Sequence, residues 1–385
     1  MISGGSEFIA VLLFVCAVVV ALEKKSQARV FNFLPAIVII YFLCMLLSTF
    51  GLWDRGAVKD TYSVVKSAIL PAMIFLMLLR CDLRKIWRLG PRMLLGFFAS
   101  SFSIAFGFVL TYSLFQSYYE ADTWSSFAAL CGSWMGGTGN MVAIQSALEI
   151  PDSKMVYALL MDSINYSVWV MLLLLVVPYA KHFNRWVGAD TKAIDAVGRE
   201  LSKVEEQKRK VISFEDLIVL LGLALLVSSF SWRFAALFPQ TAFLTKTTWA
   251  VLTVTILGVL GALSPLGRLP GSKELSNIML YTLVALIASR ANFAELTEAP
   301  LYILSGFSIL FIHGAVMVGL AKVFRLDLFT CGVASLANIG GVASAPILAA
   351  AYSQVLIPVG VLMAMLGYIL GTGGGLLVGK ILSLL

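Results

Sequence analysis

Charged residues are scarce in this chain, at 13% of 385 residues against 60% hydrophobic ones. Soluble domains usually carry about 25% charged residues. The shortage excludes an ordinary soluble domain. Together with a mean hydropathy of +0.93, it predicts an all-α, polytopic membrane protein.

Residues for metal binding and covalent catalysis are also few. The chain has two histidines and five single cysteines, without a CxxC pair or an HExxH motif. A single histidine and a single aspartate within the apolar spans supply no catalytic pair, so we expect neither an enzyme nor a metal centre. The glycine cluster at 367–375 precedes no Gly-Lys-Ser. It therefore predicts close helix packing rather than a phosphate-binding loop.

Positive charge is in excess, with a net charge of +7. The Lys and Arg residues cluster in short loops between apolar runs, as the positive-inside rule predicts for multi-pass proteins, and not in a nucleic-acid footprint. Lys24, Lys25 and Arg29 mark one cytoplasmic loop, and Arg80 to Arg92 mark another. This pattern predicts an outer N-terminus and a location in the inner (plasma) membrane.

Twelve apolar runs approach the length of about 20 residues that crosses a bilayer. They form two sets of six, which predicts a first transmembrane repeat at 1–180, a polar linker at 181–212 and a second repeat at 213–385. The charge rule orients the second set inconsistently, so parallel and inverted repeats both remain open. The predicted spans are 7–22, 33–52, 63–79, 93–117, 125–148, 155–179, 213–231, 247–263, 276–290, 300–321, 328–349 and 355–382.

The repeat is clearest in two glycine-rich segments about 200 residues apart. Residues 131–145 read CGSWMGGTGNMVAIQ, and residues 331–346 read CGVASLANIGGVASAP. Paired interrupted helices in corresponding halves are typical of the binding sites of secondary transporters. The alternative is tight packing through small residues. The predicted substrate-binding residues are Gly137, Gly139, Gln145, Asn338, Gly340, Gly341, Ser344 and Pro346.

Asp162 is the strongest single candidate for function. It begins the run DSINY within a predicted span, where an acid costs at least about 2.5–3.5 kcal/mol on insertion. On a helix, Asp162 and Asn165 share a face, and Tyr166 lies one turn further on. They can offer oxygen ligands to Na⁺, or a carboxylate to a proton. The alternative is that Asp162 satisfies polar groups of a neighbouring helix.

His313 is a candidate for proton coupling. It lies in the middle of a predicted span, and histidine titrates in the physiological range. A lone buried histidine is more often a neutral hydrogen-bonding residue, and that alternative stays open.

The segments at 131–145, 162–166 and 331–346 together resemble the YjcL-like family of uncharacterised integral membrane proteins (domain of unknown function 819), over nearly the whole chain. More remotely, a glycine-broken helix in each half is similar to the fold of bile acid:sodium symporters and cation/proton antiporters. This resemblance implies a core domain of spans 4–6 and 10–12 that moves against a panel domain of spans 1–3 and 7–9. It also implies cation-binding residues beside the broken helices: Ser133, Thr138, Asn140, Asp162 and Asn165, with Asn338 and Gln354 in the second half.

These features predict a secondary active transporter that moves a small anionic or zwitterionic solute by alternating access at crossing broken helices, coupled to sodium or protons. The alternatives are a cation/proton antiporter without an organic substrate and, less favoured, an intramembrane enzyme. No cofactor is expected apart from a coupling Na⁺ ion. The expected partners are the small-molecule solute and the lipid bilayer, with a homodimer as the candidate assembly and no nucleic acid.

Overall fold

The computed structural model describes residues 1–26, 36–81, 83–189, 211–241, 245–290 and 299–385. The side chains of Ser26, Leu83, Lys85, Ala299 and Gln354 lie outside this description, as does most of the predicted linker at 181–212. The described chain is helical, without a β-strand. Its helices are α1 (Gly5–Ser26), α2 (Ala36–Thr49), α3 (Lys59–Leu78), α4 (Leu83–Ile86), α5 (Gly90–Phe115), α6 (Thr123–Gly136), α7 (Thr138–Ala147), α8 (Met155–Val176), α9 (Ala180–Val187), α10 (Phe214–Ala235), α11 (Lys246–Ala262), α12 (Ser272–Ala288), α13 (Ala299–Phe324), α14 (Leu328–Ile339), α15 (Gly341–Tyr352) and α16 (Ile357–Leu382).

Seven of the described helices are long and apolar enough to cross a membrane: α1, α3, α5, α8, α10, α13 and α16. Their length matters because a helix rises 1.5 Å per residue and the apolar core of a bilayer is about 30 Å thick. Many of their large hydrophobic side chains are exposed, including Phe102 and Phe311. The prediction of a polytopic helical membrane protein is confirmed at this level.

The first glycine-rich segment forms a helical hairpin rather than one interrupted crossing. Helices α6 and α7 have 14 and 10 residues, too few for either to span the bilayer alone, and they pack against each other. A Cβ on Gly132 of α6 would lie 2.1 Å from Cδ1 of Ile144 in α7. The loop after α7 returns to the start of α6, where the Ser126 hydroxyl donates to the Lys154 carbonyl at 3.4 Å.

The second glycine-rich segment folds in the same way. Helices α14 and α15 pack against each other around Gly340, and the two legs approach where a Cβ on Gly332 would lie 3.1 Å from Cδ2 of Leu348. The Ser344 hydroxyl also reaches across the bend to the Leu336 carbonyl at 3.5 Å. Both segments therefore differ from the predicted fifth and eleventh spans, because the glycines reverse the chain instead of only interrupting it.

The helices pack as two bundles. The first, called the flanking bundle, consists of α1, α2, α3, α10, α11 and α12, with α3 packed against each of the last three. The second, called the hairpin bundle, consists of α5 to α8 and α13 to α16. Helix α7 is the main link between them, because it packs against α3, α11 and α12 of the flanking bundle.

Helix α16 holds the first hairpin through a stripe of glycines. Gly367, Gly371 and Gly375 face the backbone of α6, and a Cβ on Gly371 would lie 2.9 Å from the carbonyl oxygen of Gly132. Small residues let membrane helices approach this closely. The predicted close packing of the C-terminal glycine cluster is confirmed.

We expect Gly367→Ala to destabilise the protein, because its Cβ would lie 2.8 Å from the carbonyl oxygen of Met135. Overpacking of this kind costs about 1–3 kcal/mol and is measured as a lower melting temperature in detergent. Gly373→Ala is the matched control on the same helix, since nothing lies within 4 Å of its Cβ. It should be neutral or slightly stabilising, because alanine favours a helix more than glycine does. Equal melting temperatures for the two variants would contradict the packing.

Candidate functional site

The tips of the two hairpins meet beside one tyrosine of α16. Gly137 has a φ of +87° and Gly341 has a φ of +59°, a backbone region that only glycine adopts without strain. A Cβ on Gly137 would lie 3.5 Å from Cε1 of Tyr368, and one on Gly341 would lie 4.0 Å from the same atom. The two chain reversals are therefore brought to a common centre.

A cavity of about 340 Å³ lies at this centre, between the two bundles. Its volume is within the range of about 300–1,000 Å³ that is usual for small-molecule sites. The hairpin bundle supplies both tips and part of α8, and the flanking bundle supplies α2, the end of α3 and the start of α12. The described lining residues are Ile37, Val38, Met77, Arg80, Ser133, Gly137, Thr138, Gly139, Asp162, Ser163, Tyr166, Lys273, Ser276, Asn277, Leu280, Tyr281, Ile339, Gly340, Gly341, Val342, Ala343 and Tyr368.

Asp162 faces the first hairpin from α8. Its Oδ1 accepts a hydrogen bond from Nε1 of Trp134 at 2.9 Å, and its Oδ2 accepts one from Oγ of Ser133 at 3.2 Å. Trp134 is fully buried, so its N–H has no water as an alternative acceptor. Asp162 thus satisfies neighbouring polar groups and also lines the cavity, and the two readings of its role are compatible.

Two basic side chains stand among the apolar and neutral residues of the remaining cavity wall. Arg80 and Lys273 line it from the flanking bundle, and of the described lining residues Asp162 is the one acid. The first residues of α7 and α15, among them Thr138 and Val342, also form the wall. Helix N-termini carry partial positive charge, which favours anions. The cavity can therefore hold an anionic group near Arg80 and Lys273, and a cation or proton near Asp162.

The structure brings seven of the predicted site residues to the cavity. They are Ser133, Gly137, Thr138, Gly139, Asp162, Gly340 and Gly341. The other predicted residues do not line it: Asn140, Gln145, Asn165, His313, Asn338, Ser344 and Pro346.

Asn140 and Asn338 stabilise the hairpins instead. Nδ2 of Asn140 donates to the Gly136 carbonyl at 2.7 Å, and its Oδ1 accepts from the Thr372 hydroxyl at 2.6 Å. In the second hairpin, Nδ2 of Asn338 donates to the Ala334 carbonyl at 2.9 Å, and its Oδ1 accepts from Ser101 at 2.8 Å. Each amide therefore ties a hairpin to a neighbouring helix, because buried polar groups need partners.

Asn165 and Gln145 point to other parts of the protein. Nδ2 of Asn165 donates to the carbonyl of Ile303 in α13 at 3.0 Å, so its amide faces α13 rather than the cavity. Nε2 of Gln145 donates to Oδ1 of Asp152 at 2.7 Å. Pro346 lies within α15 and is half-buried. Ser344 bridges the second hairpin as described above.

His313 is fully buried among hydroxyl groups. Its Nδ1 lies 2.7 Å from Oγ of Ser103, and its Nε2 lies 2.8 Å from Oγ of Ser335, which also accepts from Nε1 of Trp169. His313 lines a separate, apolar crevice between α8 and α13 rather than the cavity at the tips. The geometry favours the alternative of a hydrogen-bonding histidine.

Sequence reasoning missed the contribution of the flanking bundle. The sequence assigned Arg80 only to a basic cytoplasmic loop, and Lys273, Asn277 and Tyr281 were not identified. These last three follow one another at intervals of four residues, so they share a face of α12. A polar stripe in a predicted span was the available signal. Among the described residues, no cluster of three His, Cys, Asp or Glu side chains forms a metal site.

The fold and the cavity define a helical membrane protein with a solute-sized site between two bundles. The chain belongs to the family described as "Protein of unknown function (DUF819)", which it matches over residues 10–385. It is similar to the "Uncharacterized membrane protein YjcL" of Bacillus subtilis (strain 168), with 27% identity over 336 residues that cover 84% of each chain. The family resemblance seen in the sequence is confirmed. The remoter similarity to bile acid symporters stays a prediction.

We expect Asp162→Val to lower the free energy of unfolding by about 1–3 kcal/mol, because it leaves the enclosed N–H of Trp134 without an acceptor. Asp162→Asn retains an acceptor oxygen, so its free energy of unfolding should fall by less. Melting temperatures of the purified variants measure both effects. In a Trp134→Phe background, the difference in melting temperature between the valine and asparagine variants should shrink. A difference that is unchanged in that background would contradict the pairing.

Proposed function

We propose that this protein is a secondary active transporter of a small anionic or zwitterionic solute in the inner (plasma) membrane, coupled to sodium or protons. The single observation that carries the proposal is the cavity at the two hairpin tips, which is walled by both bundles and contains one acid and two basic residues. Broken helical elements that point at a central site are the usual binding sites of secondary transporters.

The chain path supports an inverted repeat. If both hairpins return to the side they enter from and the shorter helices α2, α11 and α12 also cross, each half crosses the membrane five times, so the second half starts on the opposite side from the first. Contacts between the ends of helices agree with this path. Arg290 after α12 donates to the carbonyl of Arg55 before α3 at 2.8 Å, and Lys322 of α13 donates to the carbonyl of Trp186 in α9.

The side of the membrane on which each helix end lies then follows from the positive-inside rule. The basic segment around Arg80 and Arg92 places the end of α3 on the inner side, and α9, which carries Lys181 and Arg185, lies there as well. The first hairpin enters from the outer side and the second from the inner side. This arrangement favours the inverted repeat among the two alternatives that the sequence left open.

Alternating access then consists of movement between the two bundles. The hairpin bundle carries both tips and Asp162, and the flanking bundle supplies the opposite wall. They correspond to the core and panel domains expected from the resemblance. Displacing one bundle against the other exposes the cavity to each side in turn without dismantling the hairpins.

The charges of the wall support the solute class. Arg80 and Lys273 can pair with a carboxylate or another anionic group, aided by the N-termini of α7 and α15. Asp162 can bind Na⁺ or a proton, or the cationic group of a zwitterion. A cation/proton antiporter remains the alternative, favoured by Asp162 alone, but it leaves the two basic lining residues unexplained.

We expect Asp162→Asn to abolish coupling while the protein remains folded, because the neutral amide can neither take up a proton nor supply charge to Na⁺. The measurement is uptake into proteoliposomes under a sodium or proton gradient, with thermal-shift screening of metabolites to find the solute. The variant should also lose any stabilisation by sodium or by a change of pH.

Asp60→Asn is the matched control for this substitution. Asp60 is exposed at the start of α3, away from the cavity, and the change is the same. Its uptake should equal that of the parent protein. Gradient-dependent uptake that survives in Asp162→Asn would remove Asp162 from the coupling site, and a lack of gradient-driven flux for any solute in the parent would contradict the transporter proposal.

We expect Arg80→Gln and Lys273→Gln each to weaken binding of an anionic solute by about ten- to a hundredfold, because charge-assisted hydrogen bonds contribute about 1.5–3 kcal/mol. Binding is measured by titration of the solute identified in the screen. Arg268→Gln removes the same charge just before α12 but does not line the cavity, so its affinity should be unchanged. Equal losses of affinity in all three variants would indicate that the basic residues act through the long-range electrostatic field rather than through direct contacts with the solute.

A further inference from the structure

A second acid, Asp152, lies in the loop between α7 and α8, ten residues before Asp162 in the chain. Its Oδ2 accepts a hydrogen bond from the hydroxyl of Tyr62 at 2.7 Å, and its Oδ1 accepts one from Nε2 of Gln145 at 2.7 Å. Nζ of Lys66 lies 3.9 Å from the same Oδ1 and donates to the Tyr62 hydroxyl at 3.1 Å. The carboxylate is thus held from three directions.

These partners come from both bundles. Asp152 and Gln145 belong to the hairpin bundle, whereas Tyr62 and Lys66 belong to α3 of the flanking bundle. Tyr41 of α2 adds a further link, since its hydroxyl donates to the carbonyl of Asp152 at 3.2 Å. The network therefore joins the two bodies that alternating access requires to move.

A cation also packs on this network from the flanking bundle. The guanidinium of Arg290, at the end of α12, lies 5.5 Å from the ring centroid of Tyr62. Together with Lys66, it places positive charge around the carboxylate of Asp152. Charge-assisted hydrogen bonds of this kind are stronger than neutral ones, so separating the bundles here has a substantial cost.

The network and the cavity lie at opposite ends of the flanking bundle. On α3, Tyr62 precedes Met77 by 15 residues, a rise of about 22 Å, and Met77 and Arg80 line the cavity. On α12, Lys273 lines the cavity, while Arg290 at the other end faces Tyr62. The cavity therefore lies toward the inner end of the flanking bundle, whereas Asp152 holds the two bundles together at the outer end.

We propose that Asp152 is the gating residue of this protein: its carboxylate, held by Tyr62 and Lys66, keeps the outer path to the cavity shut and must release them before the cavity can open outward. This inference rests on the proposed function and assigns a role to a residue that does not touch the cavity. Gln145 stays with Asp152 on the hairpin bundle, so it orients the carboxylate in both states.

The test is the accessibility of a reporter cysteine, Ala343→Cys, in the wall of the cavity. The five native cysteines are buried, and the parent chain serves as the blank. A membrane-impermeant maleimide is applied to right-side-out and inside-out vesicles. We expect the reporter to react mainly in inside-out vesicles, and Asp152→Ala to raise its labelling rate in right-side-out vesicles by about tenfold, the factor expected for the loss of hydrogen bonds to a charge.

A second variant and a matched control complete the experiment. Tyr62→Phe removes one hydroxyl and leaves the packing intact, and it should raise outer labelling in the same direction by roughly threefold. Lys154→Gln is the control, because Lys154 lies two residues from Asp152 but pairs with Glu120 and Asp122 inside the hairpin bundle. Its labelling should match that of the parent reporter.

Outer labelling that is unchanged in both Asp152→Ala and Tyr62→Phe overturns the gate, as does an equal rise in Lys154→Gln. Labelling needs no solute, so the two proposals fail separately. Gradient-driven uptake with unchanged labelling rejects the gate alone, whereas the expected labelling without uptake of any solute supports the gate and rejects the transport function.

Discussion

The close approach of α16 to α6 is the contact on which the rest of the structure depends. Gly367, Gly371 and Gly375 let the two backbones touch, and a Cβ on Gly136 would lie 2.2 Å from the carbonyl oxygen of Gly367. This packing fixes the depth of the first hairpin. Because Gly360 of the same helix abuts the carbonyl of Ala345 in α15, α16 also fixes the second. Both chain reversals then arrive at Tyr368, and the cavity exists because they do.

A hairpin that ends inside a membrane must satisfy the backbone groups that its reversal frees. The amide of Asn140 does this for the Gly136 carbonyl at the end of α6, and the amide of Asn338 donates to the Ala334 carbonyl within α14. Thr372 and Ser101 hold these amides from neighbouring helices. These contacts explain how Asn140 and Asn338 hold the hairpins in place without lining the cavity. The wall itself is left to glycine backbone, to Ser133 and Thr138, and to charges from the other bundle.

Two acids in one stretch of chain serve two parts of the proposed cycle. Asp162 sits on α8 beside the first hairpin, where in the proposed cycle a cation or proton binds near the solute. Asp152 sits at the outer end of the same body and contacts the flanking bundle. In the proposed cycle both move with the hairpin bundle, which links events at the cavity to events at the outer contact. In the proposed cycle, opening the outer side costs the contacts of Asp152, and binding at Asp162 can offset that cost.

Composition, the spacing of apolar runs and the duplicated glycine segments were sufficient to predict an all-helical membrane protein, its family, and the meeting of Asp162 and both glycine tips at one place. Each of these is a local property of the chain: hydropathy, helix length, and a glycine where the backbone needs positive φ. Tertiary structure decided three other features. The chain reverses at Gly137, Asn165 faces away from the cavity, and Lys273 lines it. Their physical reason is that the direction of a chain after a glycine, and the face that an amide turns to, depend on partners hundreds of residues away. Helices α13 and α16 and the flanking bundle supply those partners.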